Sequence, residues 1–301
     1  MLTFPTRNLF IEGPDCSGKT TLIRQIHDDT GYRWHIHDRS QLSRKIFCDF
    51  YGRKINNIDY DLHIERSNLN NRYFILMPSF NIVNKRFNER GDEIHTAFSL
   101  YSTYKQFQKA SEKSRLFPNA IVLHMNEDAQ SISSRVISIL DLMERPILRE
   151  VSDTVCQFVE NSHDESYPLE FTLYDDGKFE EASESSMLHP SEAEYYKKIY
   201  DSLLSKIDNE IDGNNEYSRK ESVESRRFVY SDNSCISFIQ VSIRNNIMDF
   251  HVVIRSSNVK DTLPHDVNFL YFLASTCYNR FKYCCSKVRM RFNLNSAHII
   301  S

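Results

Sequence analysis

Glycine is scarce in this chain of 301 residues, which has seven. Where glycine is that sparse, its placement carries information, and two of the seven, Gly13 and Gly18, fall inside the stretch 13–20. The seven cysteines include the adjacent pair Cys284-Cys285, form no repeated CxxC framework and are odd in number. That argues against a disulfide scaffold and for reduced thiols in a cytosolic protein. No apolar stretch approaches the roughly 20 residues of a membrane span. The opening MLTFPTRNLFIEG runs straight into a strand and lacks a cleavable signal pattern, so a soluble, cytoplasmic protein is expected. A formal charge of −4 excludes the globally basic surface of non-specific nucleic-acid binders. It leaves a local basic groove open, because net charge says nothing about clustering.

What is present fits a folded protein: 40% of residues are hydrophobic, and the length suits one large domain or two modest ones, two being the expected count. Apolar runs at 8–11, 33–37, 73–77 and 120–124 read as strands. Helical spacing follows them at 21–26, 42–50, 82–86 and onward to about 113, and 129–143. Alternation of this kind predicts a parallel sheet covered on both faces. The stretch 151–192, with its acidic and serine-rich runs, reads as a linker. Beyond it, a helix over 193–211, strands at 237–243 and 248–255 joined across Arg244-Asn245-Asn246, a helix over 267–281 and a strand at 288–293 predict an α+β domain. The expected division is 1–150, 151–192 and 193–301.

Gly13-Pro14-Asp15-Cys16-Ser17-Gly18-Lys19-Thr20 lies between a strand and a helix, the context a phosphate-binding loop requires. Two glycines permit a tight turn whose backbone N–H groups point at phosphate oxygens, and the next helix adds the positive end of its dipole. Lys19 can reach the β- and γ-phosphates of ATP, and the Thr20 hydroxyl can ligate Mg²⁺; Thr21 extends the motif.

The words around this loop are more particular. Phe10 to Leu22 resembles the first motif of thymidylate kinases and related phage-type deoxynucleoside monophosphate kinases, whose pattern is a strand and then EGxDxSGKTT. Asp38-Arg39-Ser40 resembles their second motif, and Arg86-Phe87-Asn88-Glu89-Arg90-Gly91-Asp92-Glu93 their arginine-bearing lid. The resemblance covers about residues 8 to 145 and implies a P-loop kinase domain. It implies that Asp15 contacts the acceptor's sugar, Arg39 clamps its phosphate and Asp38 orients Mg²⁺ or the acceptor. Arg86 and Arg90 would close over the transferring phosphoryl group. One departure is visible: only the stretch 20–38 separates Lys19 from Arg39, too little for the family's usual pocket-forming segment, so residues 41–71 are left to supply it.

The C-terminal third carries a second set of words. Cys235 is followed by a strand with Gln240, then Arg255-Ser256-Ser257-Asn258, Leu263-Pro264-His265-Asp266 and Ser296-Ala297-His298-Ile299-Ile300. In that order they resemble the nucleotide-binding part of thymidylate synthases. By position, Cys235 would be the nucleophile, Arg255 and Ser256 would hold a phosphate, Asp266 would read the base edge and His298 the sugar. Asn258, His265-Asp266 and Ile300 depart from the family's words, which predicts a nucleotide-binding domain without methylation chemistry. The resemblance also implies a homodimer through this domain, with Arg219, Arg226 or Arg227 serving a partner.

The expected function is therefore ATP- and Mg²⁺-dependent phosphoryl transfer to a pyrimidine deoxynucleoside monophosphate, in the host cytoplasm if the chain is phage-encoded. Two other readings stay open: a kinase acting on a modified base within DNA, and a nucleotide-binding regulatory protein without turnover. A membrane partner is not expected, and nucleic acid is the less favoured one.

Overall fold

The computed structural model describes residues 1–91, 96–112, 120–124, 128–162, 167–184, 192–212 and 227–299. It is a mixed α/β protein with one parallel and one mixed sheet, and it divides into two compact units, residues 6–143 and residues 1–5 with 144–301.

In the unit of residues 6–143, β2 (Asn8–Glu12), β3 (Ile36–Asp38), β4 (Asn71–Leu76) and β5 (Ala120–Leu123) pair in the order β3-β2-β4-β5, every pair parallel. The central strand β4 is buried along its whole length, as a strand covered on both faces must be. On one face Leu9, Ile11, Phe74 and Leu76 pack against Leu22 and Ile26 of α1 (Lys19–Thr30) and Val136 and Leu140 of α6 (Ala129–Met143). On the other face Phe10, Tyr73 and Ile75 meet three helices. These are α2 (Gln41–Phe50) through Leu42 and Ile46, α3 (Ile58–Ser67) through Leu62, and α5 (Ala97–Glu112) through Phe107. The chain leaves β2 for β3 on one side and then crosses to β4 on the other. That reversal opens a crevice at the carboxyl end of β2, where open α/β sheets bind ligands.

In the other unit, β1 (Leu2–Thr3), β6 (Tyr167–Asp175), β11 (Lys287–His298), β9 (Ile247–Ile254), β8 (Ile236–Arg244) and β7 (Arg227–Ser231) lie in that order. β10 (Ser257–Asn258) pairs with the end of β11. β11 is parallel to β9 and antiparallel to β6. One face buries Phe171, Leu173, Val241, Phe250, Val252, Met290 and Phe292 with residues of α7 (Leu148–Ser162), α8 (Ala193–Asp212) and α9 (Leu263–Phe281). The period of two then sends the alternate side chains to the opposite face. The β8–β9 hairpin turns at Asn245 and Asn246, both at positive φ (53° and 64°), the pairing that suits a two-residue turn.

Two boundaries differ from expectation. The stretch 151–192 is not a linker: it holds most of α7 and all of β6, and β6 lies between β1 and β11. Leu169, Phe171 and Leu173 alternate into the core, a strand signal masked by the acidic runs on either side. Residues 163–166 and 185–191, where those runs are densest, lie outside the described residues, as do Arg219 and Arg226. The first unit also ends at 143 rather than 150, and residues 1–5 join the mixed-sheet unit because Leu2 and Thr3 pair with Asp175 and Tyr174.

Candidate functional site

The loop between β2 and α1 is shaped by backbone that only glycine adopts cheaply. Gly13 has φ 139°, and a Cβ there would sit 2.5 Å from the Leu76 carbonyl oxygen. Gly18 has φ 100° and lies against the Arg86 guanidinium, so the loop and α4 (Phe80–Arg90) touch at this point. Cys16, between them, is also left-handed at φ 61°. Helix α1 begins at Lys19 with no side-chain cap and no acidic residue in its first turn, which leaves the positive end of its dipole unneutralised. Ser17 Oγ is buried and without a hydrogen-bond partner among the described residues.

Lys19, 6% exposed, donates from Nζ to the carbonyl oxygens of Gly13 and Pro14, each at 2.9 Å. Burial lowers its pKa, and the carboxylates of Asp15 and Asp38 oppose that shift. The Thr20 hydroxyl donates to Asp38 at 3.4 Å, which puts two hard oxygen donors side by side at the mouth of the loop. Magnesium keeps several waters and takes one or two protein oxygens plus phosphates, so this pair fits it. Arg39, at the left-handed φ of 88°, donates to Asp15 at 2.7 Å and lies over the Phe47 ring at 4.7 Å. Arg86 donates to the Ser17 carbonyl at 3.0 Å, and Arg90, one helical turn on, lines the same cavity. Gly91 ends α4 at φ 68°; Asp92 and Glu93 lie outside the described residues.

All of these expected residues from Asp15 to Arg90 border one cavity of about 1170 Å³, together with Asp128, Ala129 and Ile132 at the start of α6. The cavity extends further than the expected set. Arg44, Phe47, Cys48 and Tyr51 line it from α2 and its end, and Arg53 and Ile55 from the following loop. Arg44, Phe47 and Tyr51 follow the i, i+3, i+7 stripe of a helix, a spacing visible in the sequence. Phe47 and Tyr51 are near-parallel at 6.5 Å, and Arg53 lies over Tyr51 at 5.0 Å.

Two carboxylates, one buried and one half-buried, hold α2 in place. Glu12, fully buried at the end of β2, accepts from the Ser40 N–H and the Ser43 hydroxyl. Glu65 of α3 accepts from the Gln41 N–H at 3.3 Å and the Tyr73 hydroxyl at 3.2 Å. Both acids thus satisfy N–H groups that the N-terminus of α2 leaves over. Burial raises the pKa of each, that of Glu65 to about 7, with the neighbouring Glu12 contributing. Nothing in the local sequence pairs Glu12 with Glu65; only the fold does.

The synthase-like residues are partly assembled. Cys235 is exposed just before β8, within electrostatic reach of Asp266 and Arg255, and desolvation followed by the Asp266 carboxylate raises its thiol pKa. The Arg255 N–H donates to the Cys235 carbonyl at 2.8 Å. Its side chain stands exposed beyond the end of β9, so burial creates no need for an anionic partner there. Ser256 is half-buried beside it. Asp266, 4% exposed, accepts from the Tyr196 hydroxyl at 2.9 Å, and burial lifts its pKa to about 7. His298 ends β11 opposite Asn258. Gln240 does not join them: it lies on the opposite face of the sheet, lining a different cavity with Arg227, Arg244, Arg289 and Arg291. No protein-family model matches this chain, and no curated protein matches it.

Proposed function

We propose that the unit of residues 6–143 transfers the γ-phosphate of ATP to a nucleotide acceptor. The observation that carries this reading is the gathering of Lys19, Thr20, Asp38, Arg39, Arg86 and Arg90 around one cavity at the carboxyl end of β2. The 13–20 loop and the start of α1 would hold the β- and γ-phosphates through backbone N–H groups, with Ser17 Oγ and Lys19 turned to the same oxygens. Thr20 and Asp38 would hold Mg²⁺, which supplies charge neutralisation between the phosphates. Arg86 and Arg90 place fixed positive charge where it develops on the transferring group. In the transfer, an acceptor oxygen bonds to the γ-phosphorus as the bridge to the β-phosphate breaks and ADP leaves.

The acceptor would occupy the lobe lined by Arg39, Arg44, Phe47, Tyr51 and Arg53. Cationic groups beside two parallel rings suit a phosphorylated aromatic base, which supports a nucleoside monophosphate as acceptor. The mouth of this lobe carries exposed arginines, and that favours a base within nucleic acid as the second reading. For the other unit, a thiol whose pKa is raised lacks the activation that nucleophilic chemistry needs. That argues against methylation chemistry at Cys235.

The test is ADP release with a panel of deoxynucleoside monophosphates and duplex DNA. The wild-type chain should turn over with at least one acceptor, and Lys19→Ala should lower the rate by about a hundredfold or more. Indistinguishable rates of the two proteins on every acceptor would remove the kinase reading.

A further inference from the structure

The face of the mixed sheet opposite its apolar core is built, among the described residues, unlike the rest of this acidic chain. Cross-strand register puts Arg227, Ser242, Asp249, Arg289 and Tyr174 in one row across β7, β8, β9, β11 and β6. The next row is Val229, Gln240, His251, Arg291 and Thr172, and the one after it Ser231, Phe238, Val253, Asn293 and Glu170. Arg244, Ile247 and Lys287 continue the first row's neighbour at the hairpin end. Five cations therefore share this face with two carboxylates, in a chain of net charge −4.

The arginines are held ready rather than neutralised. Asp249 accepts from both Arg289, at 3.0 Å, and Arg291, at 3.1 Å, so one carboxylate aligns two guanidiniums and leaves a positive charge over. Arg227, Arg244 and Lys287 have no ion-pair partner among the described residues. Arg227, Arg244, Arg289 and Arg291 line a cavity of about 330 Å³ with Gln240, Ser242 and Asn245. Along the strands the basic rows give way to half-buried rings: Phe238 and His251 meet edge-on at 6.0 Å.

We infer that this face binds single-stranded nucleic acid, its phosphates on the arginine rows and a base against the Phe238–His251 pair. Guanidinium forks match phosphate oxygens, half-buried rings on a sheet face accept unpaired bases, and backbone-tracking positive charge supplies sequence-independent affinity. A second copy of the chain is disfavoured as occupant. Face-to-face pairing would set arginine rows against arginine rows, a like-charge juxtaposition that disfavours the pairing. The inference stands on the mixed-sheet unit alone and holds whether or not the other unit is a kinase.

The experiment is fluorescence anisotropy with a labelled single-stranded oligodeoxynucleotide over a salt series. It compares the full chain, the Arg227→Ala/Arg244→Ala double variant and an Arg149→Ala/Lys178→Ala control. The exposed double variant should keep the wild-type melting temperature, bind about tenfold more weakly and reduce the salt slope by about 1.4, two single-strand phosphate contacts. The control should match wild type. Absence of binding at low salt, equal loss in the control, tighter binding of duplex than of single strand, or displacement by dUMP at comparable concentration would each overturn the inference. So would a dimer in light scattering that the double variant dissolves.

Discussion

At the scale of single residues, the chain's chemistry is set by where a few polar groups are buried. Glu65 is the clearest case, with burial lifting its carboxyl to about 7 from an ordinary 4.5. The folded state then holds a proton that the unfolded chain has released between those values. Its contribution to stability is complete below pH 4.5 and is lost as pH rises through about 7. Glu12 shifts in the same direction, again through burial. Glu65→Gln keeps an acceptor for the Gln41 N–H and removes one titration, so chemical denaturation across that window should show a shallower fall in stability than wild type. An unchanged slope would mean that Glu65 titrates normally. None of this pairing was legible in the sequence, because Glu12 and Glu65 are brought together only by the crossover from β2 to α2 and α3. The loop residues were legible, because Gly13, Gly18, Lys19 and Thr20 act through local backbone geometry that their spacing encodes.

At the scale of elements, legibility followed the strength of periodic signals. Helices α1, α2 and α6 and the strands β2, β4 and β5 could be read from their apolar spacing and their glycine or proline borders. α3, α7 and β6 were not, because acidic neighbours outweighed the short alternation of β6 and the helical stripes Ile58, Leu62 of α3 and Leu148, Val151, Val155, Phe158 of α7. β6 offers a direct check on its place in the core. Phe171 stacks on Phe292 at 4.6 Å and meets Phe4 at 6.2 Å. Phe171→Ala should cost about 3–5 kcal/mol in denaturant unfolding, a value a linker residue could not produce. Helix α2 carries a separate functional expectation. Arg44→Ala and Arg53→Ala should each raise the acceptor KM about tenfold, or about 1.4 kcal/mol, and leave the ATP KM unchanged. Equal effects on both constants would place these arginines outside the acceptor lobe.

At the scale of the whole molecule, the two units present their cationic groups in two different ways. The parallel-sheet unit concentrates loop N–H groups, Lys19 and paired arginines at one crevice. The mixed-sheet unit spreads its cations along the cross-strand rows of one face. A net charge of −4 concealed both, since each is a matter of clustering rather than of sum. The synthase-like words of the C-terminal region do not come together at one place: β8 sends Gln240 to one face while Cys235, Arg255 and Asp266 gather at its start. For the proposed phosphoryl transfer at the 13–20 loop, the most direct measurement follows the phosphate itself. Given ATP labelled at the γ-phosphate and a deoxynucleoside monophosphate acceptor, wild type should place the label in a nucleoside diphosphate, and Lys19→Ala should leave it on ATP. Label retained on ATP by wild type with every acceptor, or transferred equally by Lys19→Ala, would contradict the account.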